Sequence, residues 1–125
     1  MSSYITLNQN MDNEFILTIK KNHTLLPIVI YETDTFEMQI IKMEDNSVVS
    51  TIEMTESDDG QITVYDEDNG QLMVLLKESF INSLEIERGE KADRYYEKPM
   101  YRIALKANTV DNGNFILKVN NIRIA

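Results

Sequence analysis

The chain has 125 residues, 42% of them apolar, and a formal net charge of −9, which is one domain's length with enough apolar side chain for a single core. It contains no cysteine, which excludes disulfide stapling and a thiolate zinc site. Its 12 Lys and Arg are scattered, with only Lys20 and Lys21 adjacent, so it lacks the basic stripe that grips phosphate backbones or anionic lipid, and neither nucleic acid nor membrane is expected as a partner.

The opening stretch "MSSYITLNQNMDNE" has no basic start and no long apolar centre, so it does not read as a secretory signal. No apolar run approaches a membrane span, and synthesis in a cytoplasm is expected. Beyond Met1, the first residues are polar except for Tyr4, Ile5 and Leu7. Residues 1–12 therefore read as an extended arm ahead of a single domain at 13–125. Such an arm can add a strand to a neighbour's open sheet edge, which makes Tyr4, Ile5 and Leu7 candidate contacts.

The domain reads as strands almost throughout. In "FILTIK", Phe15, Leu17 and Ile19 alternate with Ile16, Thr18 and Lys20. "LLPIVIY" is a continuous apolar run broken by Pro27, which suits an edge or a strand start. "TFEMQIIKM" sets Phe36, Met38 and Ile40 against Glu37, Gln39 and Ile41. "SVVSTIEMT" follows after the turn residues Asp45–Ser47, with Val48 and Val49 leading opposite faces, and the two runs predict a hairpin.

"DGQITVYDEDNGQLMVLL", from Asp59 to Leu76, admits two readings. A calcium loop of the EF-hand kind needs an acidic first ligand, a central glycine and a closing bidentate Glu. Centring that loop on Gly70 puts Tyr65 first and Leu76 last, and centring it on Gly60 puts Thr55 first and Asp66 last, so the motif is absent. A β-hairpin fits better. A two-residue Asn69-Gly70 turn would set Val64 opposite Leu75. A three-residue Asp68-Asn69-Gly70 loop sets Val64 opposite Val74 and Ile62 opposite Leu76, and gathers Ile62, Val64, Leu72, Val74 and Leu76 on one side. Burial selects the second register, with Gly70 in the left-handed conformation and the carboxylates of Asp66, Glu67 and Asp68 solvating the tip.

"KESFINSLE" breaks the alternation. Ser79 is a candidate N-cap, and Phe80, Ile81 and Leu84 share a helical face, so one short helix is expected near residues 78–85. "RGEKADRYYEKP" reads as a loop. "MYRIALKA" sets Tyr101, Ile103 and Leu105 against Arg102, Ala104 and Lys106. "NTVDNGN" is a turn, and "NFILKVNNIRIA" ends the chain as a strand. Seven or eight short strands with turns too short for helical crossovers predict an all-β sandwich paired mostly antiparallel.

No motif supplies chemistry. His23 is the lone histidine and reads as a surface residue with no sequence-adjacent nucleophile or orienting partner. The glycines stand alone, without a phosphate loop, a nucleophile elbow or a zinc-binding His-Glu-x-x-His. The paired carboxylates lie in turns, without the apolar setting that separates their pKa values. The chain is therefore expected to be non-catalytic, with no cofactor and no metal. The second candidate contact is "RYYEKPMY", where Tyr95, Tyr96 and Met100 surround basic residues in the manner of interface centres.

The order "FEMQIIK", "SVVSTIEM", "DDGQITVYDEDNGQLMVLLKES", a short helical turn, "YRIALKA" and "FILKVNNIRIA" resembles small immunoglobulin-like β-domains of tailed-phage virions. This group includes the N-terminal domain of phage baseplate upper proteins and related short tail proteins. The resemblance runs from about Phe15 to Ala125 and rests on strands like Met38-Gln39-Ile40, the paired Val48-Val49, and turns like Gly60-Gln61-Ile62-Thr63 and Asn69-Gly70-Gln71-Leu72. The chain departs from the group at "KKNHT", at Met100–Ile103 and at Asn120-Asn121. The resemblance implies an immunoglobulin-like sandwich and a structural role in the virion, on tail, baseplate, neck or head, with other virion proteins as multi-copy partners and no functional residues to carry over. The alternative is a carbohydrate-binding sandwich in host recognition, with Tyr95, Tyr96 and Tyr101 as its platform.

Overall fold

Side-chain alternation sorts the strands into two layers. The computed structural model describes residues 4–21, 24–84 and 101–124. Eight strands form the body: β1 (Tyr4–Leu7), β2 (Asn13–Thr18), β3 (Thr35–Lys42), β4 (Ser47–Ile52), β5 (Gly60–Asp66), β6 (Gln71–Leu76), β7 (Tyr101–Thr109) and β8 (Gly113–Ile124). Among the described residues one helix, α1 (Glu78–Ser83), follows β6. The sheets are ordered β1-β8-β7-β3-β4 and β2-β6-β5. This is the order of an immunoglobulin-like sandwich: β2-β6-β5 corresponds to strands B-E-D, and β8-β7-β3-β4 to G-F-C-C′ of the variable type.

The core is where the inward sets meet. Met38 and Ile40 of β3, Ile52 of β4, Ile62 of β5, Leu72, Val74 and Leu76 of β6, and Ile103 of β7 are all fully buried. Burying a Leu or Ile side chain fully is worth roughly 1.5–3 kcal/mol, so these residues carry the fold. Tyr101 is 2% exposed at the start of β7, two residues before Ile103. In antibody domains the second cysteine of the inter-sheet disulfide follows such a tyrosine by the same interval. Here aliphatic packing fills that place.

The expected hairpin at Asp59–Leu76 forms with a different register. Ile62 pairs with Val74 and Val64 with Leu72, two positions from the predicted partners, and the ladder shifts between Val64 and Asp66. The tip spans 67–70, and Gly70 is left-handed, with φ 61°. A four-residue tip alone would put Ile62 and Val74 on opposite faces, because side chains alternate with period two. The bulge at Tyr65 restores the parity. Val64 and Val74 therefore share the inward face, as burial demands.

The expected free arm is corrected. β1 lies in the chain's own sheet, parallel to β8, with Leu7 opposite Ile124. Leu7 is fully buried and Ile5 packs against the core. The turn into β2 is locked by Asn13, whose Nδ2 donates to the Asn8 and Met11 carbonyls and whose Oδ1 accepts from the Asn8 N–H at 2.9 Å. An apolar pair with an available edge on its own chain satisfies its burial there.

Two further expectations are adjusted. Ser79 does not cap α1: the N-cap position is Lys77, without a side-chain cap bond. Asp12 supplies the acceptor from a distant turn, taking the Glu78 N–H at 2.8 Å, which also sets a carboxylate at the positive end of the helix. Phe80, Ile81 and Leu84 are buried as expected. "LLPIVIY" makes no regular strand. Pro27 forms one bridge with Lys20, while Ile28 and Ile30 turn into the core.

Candidate interaction surface

Three connections meet at one end of the sandwich: residues 19–34 between β2 and β3, the β5–β6 tip, and the β7–β8 turn. Their backbones are tied together. The Ile19 N–H donates to the Gly70 carbonyl at 2.8 Å, and the Ile28 N–H donates to the Ile19 carbonyl at 3.0 Å. The Ile30 N–H donates to the Glu67 carbonyl at 2.9 Å. Asp34 is 3% exposed; its Oδ2 accepts from the Tyr31 N–H at 2.8 Å and its Oδ1 from the Val110 N–H at 2.9 Å. Asp111 accepts the Val29 N–H at 3.0 Å and lies 3.6 Å from the Lys21 Nζ. One buried carboxylate thus joins two of the connections, and charge-assisted bonds of this kind are the stronger ones.

The fit is tight at Gly70. A β-carbon there would lie 2.7 Å from the Ile19 carbonyl oxygen and 2.8 Å from that of Ile28. The β5–β6 tip therefore supports the β2–β3 connection from beneath, backbone against backbone.

This fixed end presents apolar side chains to solvent. Leu25 is 85% exposed and Leu26 63%, where the Lys21 N–H donates to the Leu26 carbonyl at 2.8 Å. Val110 is 66% exposed in the β7–β8 turn, and Tyr31 49%. Large aliphatic side chains this exposed, on connections this well tied, are what a docking surface requires. Two concavities adjoin it. One, of about 680 Å³, has Phe36, Met54 and Phe115 in its lining and Glu53, Lys106 and Asn114 among its polar groups. The other, of about 490 Å³, is lined by Tyr31, Glu32, Met54 and Glu67 among others, so Met54 lines both.

The sequence-derived candidates are placed as follows. Leu7 is a core residue and leaves the candidate surface, and Ile5 is half-buried against the core. Tyr4 is the first residue of β1. Tyr95, Tyr96, Met100 and His23 lie outside the described residues. Tyr101 is buried and cannot serve as a ligand platform. Sequence patterning passes over Leu25 and Leu26 because an apolar run next to Pro27 resembles a strand. The usable signal is the polar "KKNHT" immediately before them, which puts them at a turn and not in a ladder.

The charged corners have local work. Asp66 accepts from the Asn69 Nδ2 at 2.8 Å. Asp45 accepts from both the Ser47 N–H and its hydroxyl, and these bonds, with Lys42 nearby, hold its carboxyl below the usual range. Among the described residues, no group of three or more His, Asp or Glu is placed to hold a metal ion. No helix is long and apolar enough to cross a membrane among them.

No family model and no curated protein matches the chain. Among solved structures, the crystal structure of the ZIG-8–RIG-5 IG1–IG1 heterodimer is similar, with a TM-score of 0.41 and 8% identity over 100% of this chain and 83% of that one. At that distance the likeness carries no functional argument. The immunoglobulin-like assignment rests on the strand order itself.

Proposed function

We propose that the protein is a non-catalytic structural component of a tailed-phage virion, an assembly module on tail, baseplate, neck or head that docks through the loop end of its sandwich. The observation that carries the docking mode is the exposure of Leu25 and Leu26 on connections pinned by Asp34, Asp111 and Gly70. A surface fixed before binding loses little conformational entropy when a partner covers it. The virion setting rests on the order of strands and turns that resembles the phage domains. On a symmetric particle each contact is repeated, so individually weak docking suffices for stable attachment.

The test is incorporation. Mass spectrometry of purified particles of the encoding phage should detect the chain, and a Leu25→Asp/Leu26→Asp variant should fold normally yet be lost from particles. Particles lacking the wild-type chain would overturn the virion reading. Undiminished incorporation of the double variant would overturn the loop end as the contact.

A second reading, saccharide binding, is favoured by the concavity of about 680 Å³, whose amide, carboxylate and ammonium groups surround apolar Phe115 and Met54. A glycan array on the purified protein decides it: a hit abolished by Glu53→Ala and Asn114→Ala supports it, and no hit removes it.

A further inference from the structure

The tripeptide Asp-Asn-Gly occurs twice in the chain, as Asp68-Asn69-Gly70 and as Asp111-Asn112-Gly113. The first lies at the β5–β6 tip and the second at the β7–β8 turn, and both glycines are left-handed, with φ 61° and 69°. An asparagine followed by glycine is open to attack by the main chain on its own side chain, because glycine has no β-carbon to shield its nitrogen. Local sequence and turn conformation offer the two asparagines the same chemistry. Their surroundings do not.

Asn69 is held in place. Its Nδ2 donates to the Asp66 carboxylate at 2.8 Å, a charge-assisted bond. The Gly70 N–H donates to the Glu67 carbonyl at 3.5 Å, and the Gly70 carbonyl accepts the Ile19 N–H at 2.8 Å. The backbones of Ile19 and Ile28 crowd the glycine itself. Asn112 is placed differently. Its Nδ2 is buried without a hydrogen-bond partner among the described residues, so the amide carries its desolvation cost uncompensated. No described atom lies within 4 Å of the point a β-carbon would occupy at Gly113. The Thr109 hydroxyl accepts the Asn112 N–H at 3.1 Å and donates to the Gly113 carbonyl at 3.0 Å. Neither bond involves the Asn112 side chain or the Gly113 nitrogen, the two groups that must meet.

We propose that Asn112 is a site of spontaneous conversion to aspartate and isoaspartate, and that the fold protects Asn69 from the same reaction. The Gly113 nitrogen gives its proton to hydroxide and attacks the Asn112 Cγ. The new Cγ–N bond closes a succinimide ring, the Cγ–Nδ2 bond breaks, and Nδ2 leaves as ammonia with a proton from water. Water then adds to one of the two ring carbonyls. Opening between Cγ and the Gly113 nitrogen yields aspartate. Opening between that nitrogen and the Asn112 main-chain carbonyl carbon yields isoaspartate, whose main chain runs through the former side chain. At Asn112 the reaction removes a buried nitrogen that had no partner among the described residues. At Asn69 it breaks the bond to Asp66 and requires Gly70 to move against Ile19 and Ile28. The converted residue adjoins Val110 and Asp111, so the new carboxylate falls on the loop end, and isoaspartate lengthens the turn there. The reaction proceeds in the isolated chain, whatever partner the loop end takes.

Peptide mass spectrometry of the purified chain, held folded at mildly alkaline pH and digested at intervals, tests it, with isoaspartate identified by backbone fragmentation. Conversion at Asn112 should outpace that at Asn69 by about tenfold or more, the factor that one charge-assisted bond supplies. Both aspartate and isoaspartate should accumulate at position 112, since the ring opens on either side. A parallel incubation in concentrated urea provides a control free of substitutions: the two rates should converge there, because the tripeptides are identical once the fold is gone. Conversion at Asn69 as fast as at Asn112 in the folded chain, a difference that survives unfolding, or aspartate without isoaspartate at position 112 would each overturn the proposal.

Discussion

Replacing Gly70 by alanine tests whether the β5–β6 tip holds the loop end in place. Gly70 has φ 61°, and a residue with a β-carbon gives up about 1–2 kcal/mol in that left-handed region. The new methyl would also lie 2.7 Å from the Ile19 carbonyl oxygen, 2.8 Å from the Ile28 carbonyl oxygen and 3.1 Å from the Ile28 nitrogen. These are backbone atoms that cannot swing aside. Relief requires stretching the bond from the Ile19 N–H to the Gly70 carbonyl or from the Ile28 N–H to the Ile19 carbonyl, and each such bond is worth about 0.5–1.5 kcal/mol net. Reduced freedom of the unfolded chain returns about 0.4–1 kcal/mol. The expected loss is therefore about 0.5–3 kcal/mol.

Gly113→Ala is the control. Gly113 is also left-handed, with φ 69°, but nothing lies within 4 Å of the point a β-carbon would occupy there. It should lose only about 1 kcal/mol, the conformational part alone. Urea unfolding followed by circular dichroism measures both variants, and the gap between them should be about 1 kcal/mol, the strained bond alone, or roughly 4 °C in Tm. Equal losses for the two would refute the claim that backbone contact beneath the β2–β3 connection, rather than the turn conformation, makes Gly70 necessary.

Asp34→Ala should destabilise by about 2–4 kcal/mol, because it leaves the Tyr31 and Val110 N–H groups without their charged acceptor; thermal unfolding measures it, and a loss below about 0.5 kcal/mol would show that water replaces the carboxylate. Glu56 and Lys77 give a pH signature. The Lys77 ammonium, hydrogen-bonded to Glu56 at 2.8 Å, holds that carboxyl below its usual 4.5, and Glu56 raises Lys77 above its usual 10.5. Glu56 thus contributes above its unfolded pKa and loses the contribution as pH falls through its lowered value, while Lys77 contributes below its unfolded pKa and loses it as pH rises through its raised value. Glu56→Gln should differ slightly from the wild type at neutral pH and converge with it in acid. The gap should also shrink with salt, since the pair is exposed. A gap that persists in acid would refute the pairing.

The legible part of the fold is the part governed by local alternation. β3 can be read from its residues alone, because Phe36, Met38 and Ile40 alternate with polar neighbours and all three are buried. The face of the β5–β6 hairpin is legible for the same reason. Its register is not, because a longer tip and the Tyr65 bulge compensate each other and leave no mark on the pattern. Leu25 and Leu26 are obscured in the opposite way: composition suggests burial, and the ties through Gly70 and Asp111 that fix Ile19 and Val29 on either side of them come from residues far away in the chain.

Residue order alone specifies that strands form and which side of each is apolar, since side-chain periodicity is a property of neighbours in the chain. Where β1 docks, and that a distant Asp12 accepts the first N–H of α1, emerge only on assembly. Those outcomes depend on which backbone groups and apolar surfaces remain unsatisfied once the sheets have packed, and no short window of residues encodes that.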